Sequence, residues 1–282
     1  MQMRDFCNFN IPYCGVLFNI SFIFTPFRRL FALFSQVSKI AYPDMLISRL
    51  AENHQKSTAL FLTFFIEWGL NYHTMKVLSI NGSPHVEGCT ARALTEAENV
   101  LKENGIEVER IDVANKDIRG CIACGFCREH GRCVFNDMVN ETAPKFREAD
   151  GLLIGTPVYY AHSNGQLLAF LDRLFFSTTG VFDRTMKVGA AVISSRRAGS
   201  TSAMAEINKY FTISAMPIVS STYWNEVHGF TPDDVEKDLE GLQTMRNLGL
   251  NMAFLIKAIK AQAEKEGIPT QDRSSHTNFI RE

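Results

Sequence analysis

From residue 75 onward the chain switches repeatedly between short apolar runs and longer stretches with helical spacing. Lys76–Asn81 is apolar with β-branched Val77 and Ile80, and it predicts a buried strand. Asn81-Gly82-Ser83-Pro84 breaks that run with turn residues. Leu94, Ala97 and Leu101 then recur at helical spacing, and Gly105 stands where a helix would end. Ile106–Val113 alternates and predicts a second strand, while Gly151–Gly155 and Val188–Ile193 are wholly apolar and predict a third and a fourth. A fifth is expected within Ile213–Tyr223, interrupted by Pro217. Further helices are expected over Asp137–Ala149, where Pro144 implies a kink, and over Ser163–Phe176 and Thr201–Phe211. A long amphipathic helix is expected over Pro232–Glu266, with Leu239, Leu242, Met252, Ile256 and Ile259 along its buried stripe.

Five apolar strands alternating with helices predict an α/β fold, a doubly wound parallel sheet covered on both faces. Such sheets bind ligands at the carboxyl ends of their strands. The loops 81–90, 155–163 and 194–200 leave those ends, and each carries polar or aromatic residues.

Residues 1–74 follow no such pattern. They hold 11 of the 22 phenylalanines but only four acidic residues and two glycines. Pro26, Arg28 and Arg29 interrupt the apolar runs before a membrane span is complete, and a signal peptide fits poorly. Met75 directly precedes the first strand. The expectation is an N-terminal extension over 1–74 outside the fold, consistent with an over-long start; a membrane-associating leader is the competing reading. The domain would then be 75–268, with a frayed tail over 269–282.

The first loop carries the first chemistry. In a strand–loop–helix order the helix N-terminus collects unpaired N–H groups and the positive end of the helix dipole. Ser83 and Thr90 add hydroxyls. An anion, most simply a phosphate, suits that place, although an ordinary strand-to-helix turn would read the same. The loop lacks the Lys-Ser/Thr pair of an NTP-binding P-loop and the G-x-G-x-x-G of a dinucleotide fingerprint.

Composition adds the second. The chain has 282 residues and a net charge of −1, so nothing points to nucleic acid. Seven cysteines, an odd count, include Cys121, Cys124, Cys127 and Cys133 within thirteen residues. That argues against a secreted disulfide framework and for a metal or redox site in a reducing cytoplasm. Three thiolates at three-residue steps and a fourth after five more can wrap an iron–sulfur cubane. Four thiolates also suit zinc, and free redox-active thiols remain a third reading.

Three segments together resemble the NADPH-dependent FMN reductase and iron–sulfur flavoprotein group of the flavodoxin-like superfamily. They are Gly82-Ser83-Pro84-His85-Val86-Glu87-Gly88-Cys89-Thr90, Thr156-Pro157-Val158-Tyr159-Tyr160 and Ser194-Ser195-Arg196-Arg197-Ala198-Gly199. The resemblance implies a flavodoxin-like sheet of strand order 2-1-3-4-5. It implies FMN, with its phosphate held by Ser83, His85, Gly88, Cys89 and Thr90, where His85 replaces the family's arginine and Cys89 its asparagine. Pro157, Val158, Tyr159 and Tyr160 would lie along the isoalloxazine, with core packing as the alternative for the tyrosines. Ser195 and Arg196 would lie near the flavin or attract NADPH, although either arginine of that loop can equally be a solvated surface residue. Cys121, Cys124, Cys127 and Cys133 match the compact motif implying a 4Fe–4S centre. Trp224-Asn225, after the fifth strand, is expected to border a flavin across a dimer interface, and Asp172-Arg173 to be a structural or interface pair.

The expected activity is an FMN-dependent NAD(P)H oxidoreductase, passing electrons to a quinone, nitro compound, flavin or protein. The expected assembly is a homodimer or higher homo-oligomer, without nucleic acid or stable membrane insertion. The alternatives are an electron carrier with a ferredoxin-like partner, and a cysteine-based redox or metal sensor.

Overall fold

The computed structural model describes residues 74–275 together with Thr277 and Phe279. The extension expected over 1–74 lies, but for Thr74, outside the described residues. Along the chain run β1 (Lys76–Asn81), α1 (Cys89–Glu103), β2 (Glu107–Asp112), α2 (Phe126–His130), α3 (Met138–Glu148), β3 (Gly151–Tyr159) and β4 (His162–Ser163). They are followed by α4 (Gly165–Ser177), β5 (Val188–Ser195), α5 (Ser200–Ile213), β6 (Glu226–His228), α6 (Pro232–Val235) and α7 (Leu239–Glu266). None of these helices is long and apolar enough to cross a membrane.

Five strands pair in parallel in the order β2-β1-β3-β5-β6. Side chains alternate across the sheet as the pleat dictates. Leu78, Ile80, Leu152, Ile154, Ala191 and Ile193 face one core, which α3, α4 and α5 cover with Phe146, Phe170 and Phe211. Val77, Leu153, Val188, Ala190 and Val192 face the other, closed by Leu94 and Leu101 of α1 and by Met245, Leu248 and Met252 of α7. Burial on both faces is why these strands read as unbroken apolar runs.

Local chemistry sets the element ends. Asn164 caps α4, its Oδ1 accepting from the amides of Gln166 (2.8 Å) and Leu167 (3.2 Å). Asp137 caps α3, which continues through Pro144. The β1 end is pinned where Asn81 Nδ2 donates to Asp112 Oδ1 (2.8 Å) while Asn81 Oδ1 accepts the Ser83 amide (3.1 Å).

Several expectations change. The fifth parallel strand is not a continuous run in Ile213–Tyr223. There Ile218 alone bridges to Gly189, and the strand proper is Glu226–His228. Pro217, lacking an N–H, can offer only its carbonyl, which accepts the Gly189 amide (2.8 Å). The chain bows away before returning at Glu226. A short antiparallel strand, β4, hangs on β3 and was not foreseen, so the expected order 2-1-3-4-5 holds only when the parallel strands alone are numbered. The expected helix over Pro232–Glu266 is two helices. Thr231 and Asp234 form a capping box on the four-residue α6, and Asp238 then caps α7. Leu239, placed on the buried stripe by its spacing, is 73% exposed because it opens α7 before the helix reaches the sheet.

Candidate functional site

The three expected loops converge. Residues 83–90, 157–159 and 194–196, with a fourth segment 229–232, line one cleft of about 890 Å³ at the carboxyl edge of the sheet. Helix α1 opens on it with Gly88 as N-cap and no side-chain hydrogen bond to that cap, so its first-turn amides are offered to the cleft. The loop folds tightly onto itself. Gly88 N–H donates to His85 O (3.1 Å), His85 N–H donates to Ser83 Oγ (3.1 Å), and a Cβ on Gly88 would lie 2.9 Å from His85 Cβ.

The other walls are fixed from the sheet. Thr90 Oγ1 and Ser194 Oγ share a hydrogen bond of 2.7 Å, tying the start of α1 to the end of β5. Ser195, 5% exposed, has a buried Oγ with no partner. Such a group is costly unless something in the cleft completes it. Arg196 is exposed at the rim, its Cζ 5.7 Å from the Phe230 ring. Cys89 Sγ lies 3.7 Å from Gly229 O. Burial pushes the Cys89 thiol up, against its own amide and with Asp234 adding in the same upward direction. It is therefore a neutral thiol at pH 7, which sets no negative charge against an anion at the helix end.

Ser83, His85, Gly88, Cys89, Thr90, Pro157, Val158, Tyr159, Ser195 and Arg196 all line this cleft, and Tyr160 does not. Tyr160 is fully exposed and forms, with Ala161, the two-residue turn between β3 and β4. Both have positive φ, 50° and 63°, the geometry of a primed hairpin turn that normally favours Asn or Gly. Trp224 lies before β6, half exposed and outside the cleft lining. A second cleft of about 780 Å³ lies among Phe175, Phe176, Arg184, Tyr210 and Arg273, and includes none of the strand-end loops.

The four clustered cysteines lie around one hollow. Cys121, Cys124, Cys127 and Cys133 ring a small hollow of about 20 Å³ walled by Ile122, Val134, Phe135 and Phe176. Ala123 (φ 52°) and Gly125 (φ 76°) take left-handed conformations on either side of Cys124, which curls the loop around it. Cys121 and Cys124 are exposed, Cys127 and Cys133 half-buried, and all are free thiols. Among the described residues no three His, Cys, Asp or Glu converge on a point for one metal ion. Asp172 and Arg173 do not act as a pair. Tyr210 Oη donates to Asp172 Oδ1 (2.5 Å), whereas Arg173 turns inward to Cys133 and Asp137.

The NADPH-dependent FMN reductase family matches residues 75–231, which include the cysteine loop and every cleft residue but Pro232. The chain belongs to that family. Membership makes it an oxidoreductase and a flavoprotein with FMN as the expected flavin. An iron–sulfur flavoprotein of Methanocaldococcus jannaschii is 39% identical over 193 residues, covering 66% of this chain and all of that protein. Another from Methanosarcina thermophila is 31% identical, covering 68% of this chain and all of that protein. Among solved structures, the NAD(P)H:quinone oxidoreductase of Methanothermobacter marburgensis superposes with a TM-score of 0.50 at 17% identity, over 64% of this chain and 97% of that one. RosB with bound 8-demethyl-8-formylriboflavin-5'-phosphate gives 0.52 at 15% identity, over 74% and 95%. Both share the doubly wound flavodoxin-like fold.

The residues present fit the FMN that this family uses. The uncapped end of α1 suits a phosphate, and the orphan Ser195 hydroxyl suits a polar edge of the ring. The four thiols lining the cysteine hollow are the donor set that an iron–sulfur cubane takes, one thiolate to each iron. Ser177, 3% exposed, lines that hollow with a buried Oγ that has no partner. Two parts of these sites were missed in the sequence. The Gly229–Pro232 wall lies just before and at the start of the helix expected from Pro232, and no strand was expected at Glu226–His228 to carry it to the cleft. Arg173 and Ser177 carry no local signal, since their partners lie far away in the chain.

Proposed function

We propose that this chain is an FMN-dependent NAD(P)H oxidoreductase with its flavin in the α1-end cleft and a 4Fe–4S cluster in the cysteine hollow. The observation that carries the reading is the convergence of four separate segments on one cleft against an uncapped helix N-terminus. Bound FMN would supply the chemistry, hydride acceptance from a reduced nicotinamide and release of electrons singly or in pairs.

The chain's own part is binding and orientation. The amides at the start of α1 and the Ser83 and Thr90 region would hold the phosphate. The Gly88 fold-back keeps that loop in shape, and Pro157–Tyr159 would border the ring. Arg196 at the rim would attract a nicotinamide phosphate, and His85 would offer a hydrogen-bonding group to the FMN phosphate. The sulfur ligands would be Cys121, Cys124, Cys127 and Cys133, which implies a reducing compartment. The open, partly aromatic rim supports a homodimer in which a second copy completes the acceptor pocket. Quinones, nitro compounds, free flavins and proteins are the acceptor classes such a pocket admits.

Absorbance of the purified protein before and after NADPH tests this. Flavin bands that bleach with NADPH are expected, and a colourless protein that FMN cannot reconstitute would refute the flavin site. Cys124→Ser should remove a broad brown shoulder and the bound iron. Unchanged iron would refute the cluster. A second reading, electron exchange with a ferredoxin-like partner, is favoured by the exposure of Cys121, Cys124 and Ile122. It predicts reduction by ferredoxin and none by NADPH.

A further inference from the structure

Arg173 is the largest fully buried side chain among the described residues, 1% exposed, and all of its five N–H donors are used. Nε and Nη2 each lie 3.2 Å from Cys133 Sγ. Nη1 and Nη2 grip Asp137 at 2.7 and 2.9 Å, and Nη1 also donates to Arg119 O at 3.2 Å. Its Cζ lies 4.9 Å from the Phe135 ring. Four residues on, Ser177 lies on the same face of α4 and lines the same hollow with its unpartnered hydroxyl.

We propose that Arg173 is a positioning residue that raises the reduction potential of the cluster by fixing a positive charge and two N–H donors on the Cys133 sulfur. Ser177 adds a weaker donor in the same sense. The inference rests on the cluster reading above. Taking up one electron makes a thiolate-bound cluster more negative, and hydrogen bonds to sulfur and nearby charge set how readily it does so. A cation fixed in a buried site is screened far less than one in water. Asp137 acts in the opposite sense, because its carboxylate sits behind the guanidinium and offsets part of that charge.

The two residues therefore predict shifts of opposite sign, which loss of packing would not produce. Potentiometric titration followed by electron paramagnetic resonance reads the potential, with iron content as control. Arg173→Gln should lower the equilibrium constant for uptake of an electron about tenfold, which is about 59 mV more negative. Asp137→Asn should raise it several-fold, and asparagine can still cap α3. Arg173→Lys should fall between wild type and Arg173→Gln, and Ser177→Ala should give a small negative shift.

Should Arg173→Gln fail to assemble a cluster, the sign of the Asp137→Asn shift decides. Iron-loaded Asp137→Asn with an unchanged or more negative potential would overturn the proposal while leaving the cluster reading intact. Wild-type protein without iron after anaerobic reconstitution would overturn both.

Discussion

Gly155→Ala tests whether the close approach of α1 to the sheet is what places the cleft. Gly155 lies in β3, and its carbonyl accepts the Gly82 amide at 2.8 Å, holding the root of the first loop. A Cβ there would lie 2.7 Å from Leu94 Cδ1, 2.8 Å from Thr90 Cγ2 and 2.9 Å from Leu94 Cγ. Three contacts this short cannot be absorbed by one rotamer. Leu94 is fully buried and Thr90 is tied to Ser194, so α1 itself must move outward by several tenths of an ångström. Overpacking of this kind costs about 1–3 kcal/mol, which for a domain near 200 residues lowers Tm by roughly 3–10 °C. The same movement shifts Thr90 and the first-turn amides against Ser83 and Ser195. Losing one charge-assisted hydrogen bond to a phosphate, about 1.5–3 kcal/mol, raises the FMN Kd by ten- to a hundredfold.

Thermal melts with and without FMN, and flavin fluorescence quenching, separate the two effects. The FMN-induced rise in Tm should shrink as well as the baseline Tm, because ligand stabilisation follows RT ln(1 + [L]/Kd). Gly165→Ala is the matched control. It meets nothing within 4 Å at the start of α4 and should leave both readings near wild type or slightly raise Tm. A Gly155→Ala protein with unchanged Tm and Kd would refute the argument that helix approach builds the site.

Ser195→Ala removes a buried hydroxyl that has no protein partner, so apo-protein Tm should hold or rise while the FMN Kd increases several-fold; a parallel fall in both would show that the hydroxyl is structural. Ala161→Gly relieves a left-handed turn position and should raise Tm by the equivalent of about 1 kcal/mol, and a fall would show that its methyl contact is worth more than the strain. Glu96 is raised by burial but lowered more by hydrogen bonds from Arg246 and Arg92, for a net downward shift. Its ionised form therefore contributes stability above the ordinary carboxylate range, lost as pH falls through the folded-state value. Glu96→Gln should lower Tm at pH 7, with the deficit closing as pH falls below the ordinary carboxylate range. A deficit that persists at low pH would mean packing, not charge, is at work.

Much of the site was legible because the sheet is buried on both faces. The central strands β1, β3 and β5 then had to be apolar runs ending abruptly in polar loop residues, and loops 81–90, 155–163 and 194–200 announce themselves by that switch. The cysteine spacing was legible because a chelating loop is local. The fifth strand was not. Its pairing is split between Ile218 and Glu226–His228, and three residues on a bowed segment leave too little periodicity to read. With it went the fourth wall of the cleft and the position of Trp224.

The sequence by itself determined the alternation of strands and helices, the family-like loops and the four thiols, since those depend on neighbours within a few residues. The tertiary structure alone decided which groups meet. It brought Thr90 to Ser194 across 104 positions, left Ser195 and Ser177 without partners, and turned Arg173 onto Cys133 and Asp137 across 40 and 36 positions. A buried cation needs hydrogen-bonding partners wherever the fold places them, and only the packed chain specifies which those are.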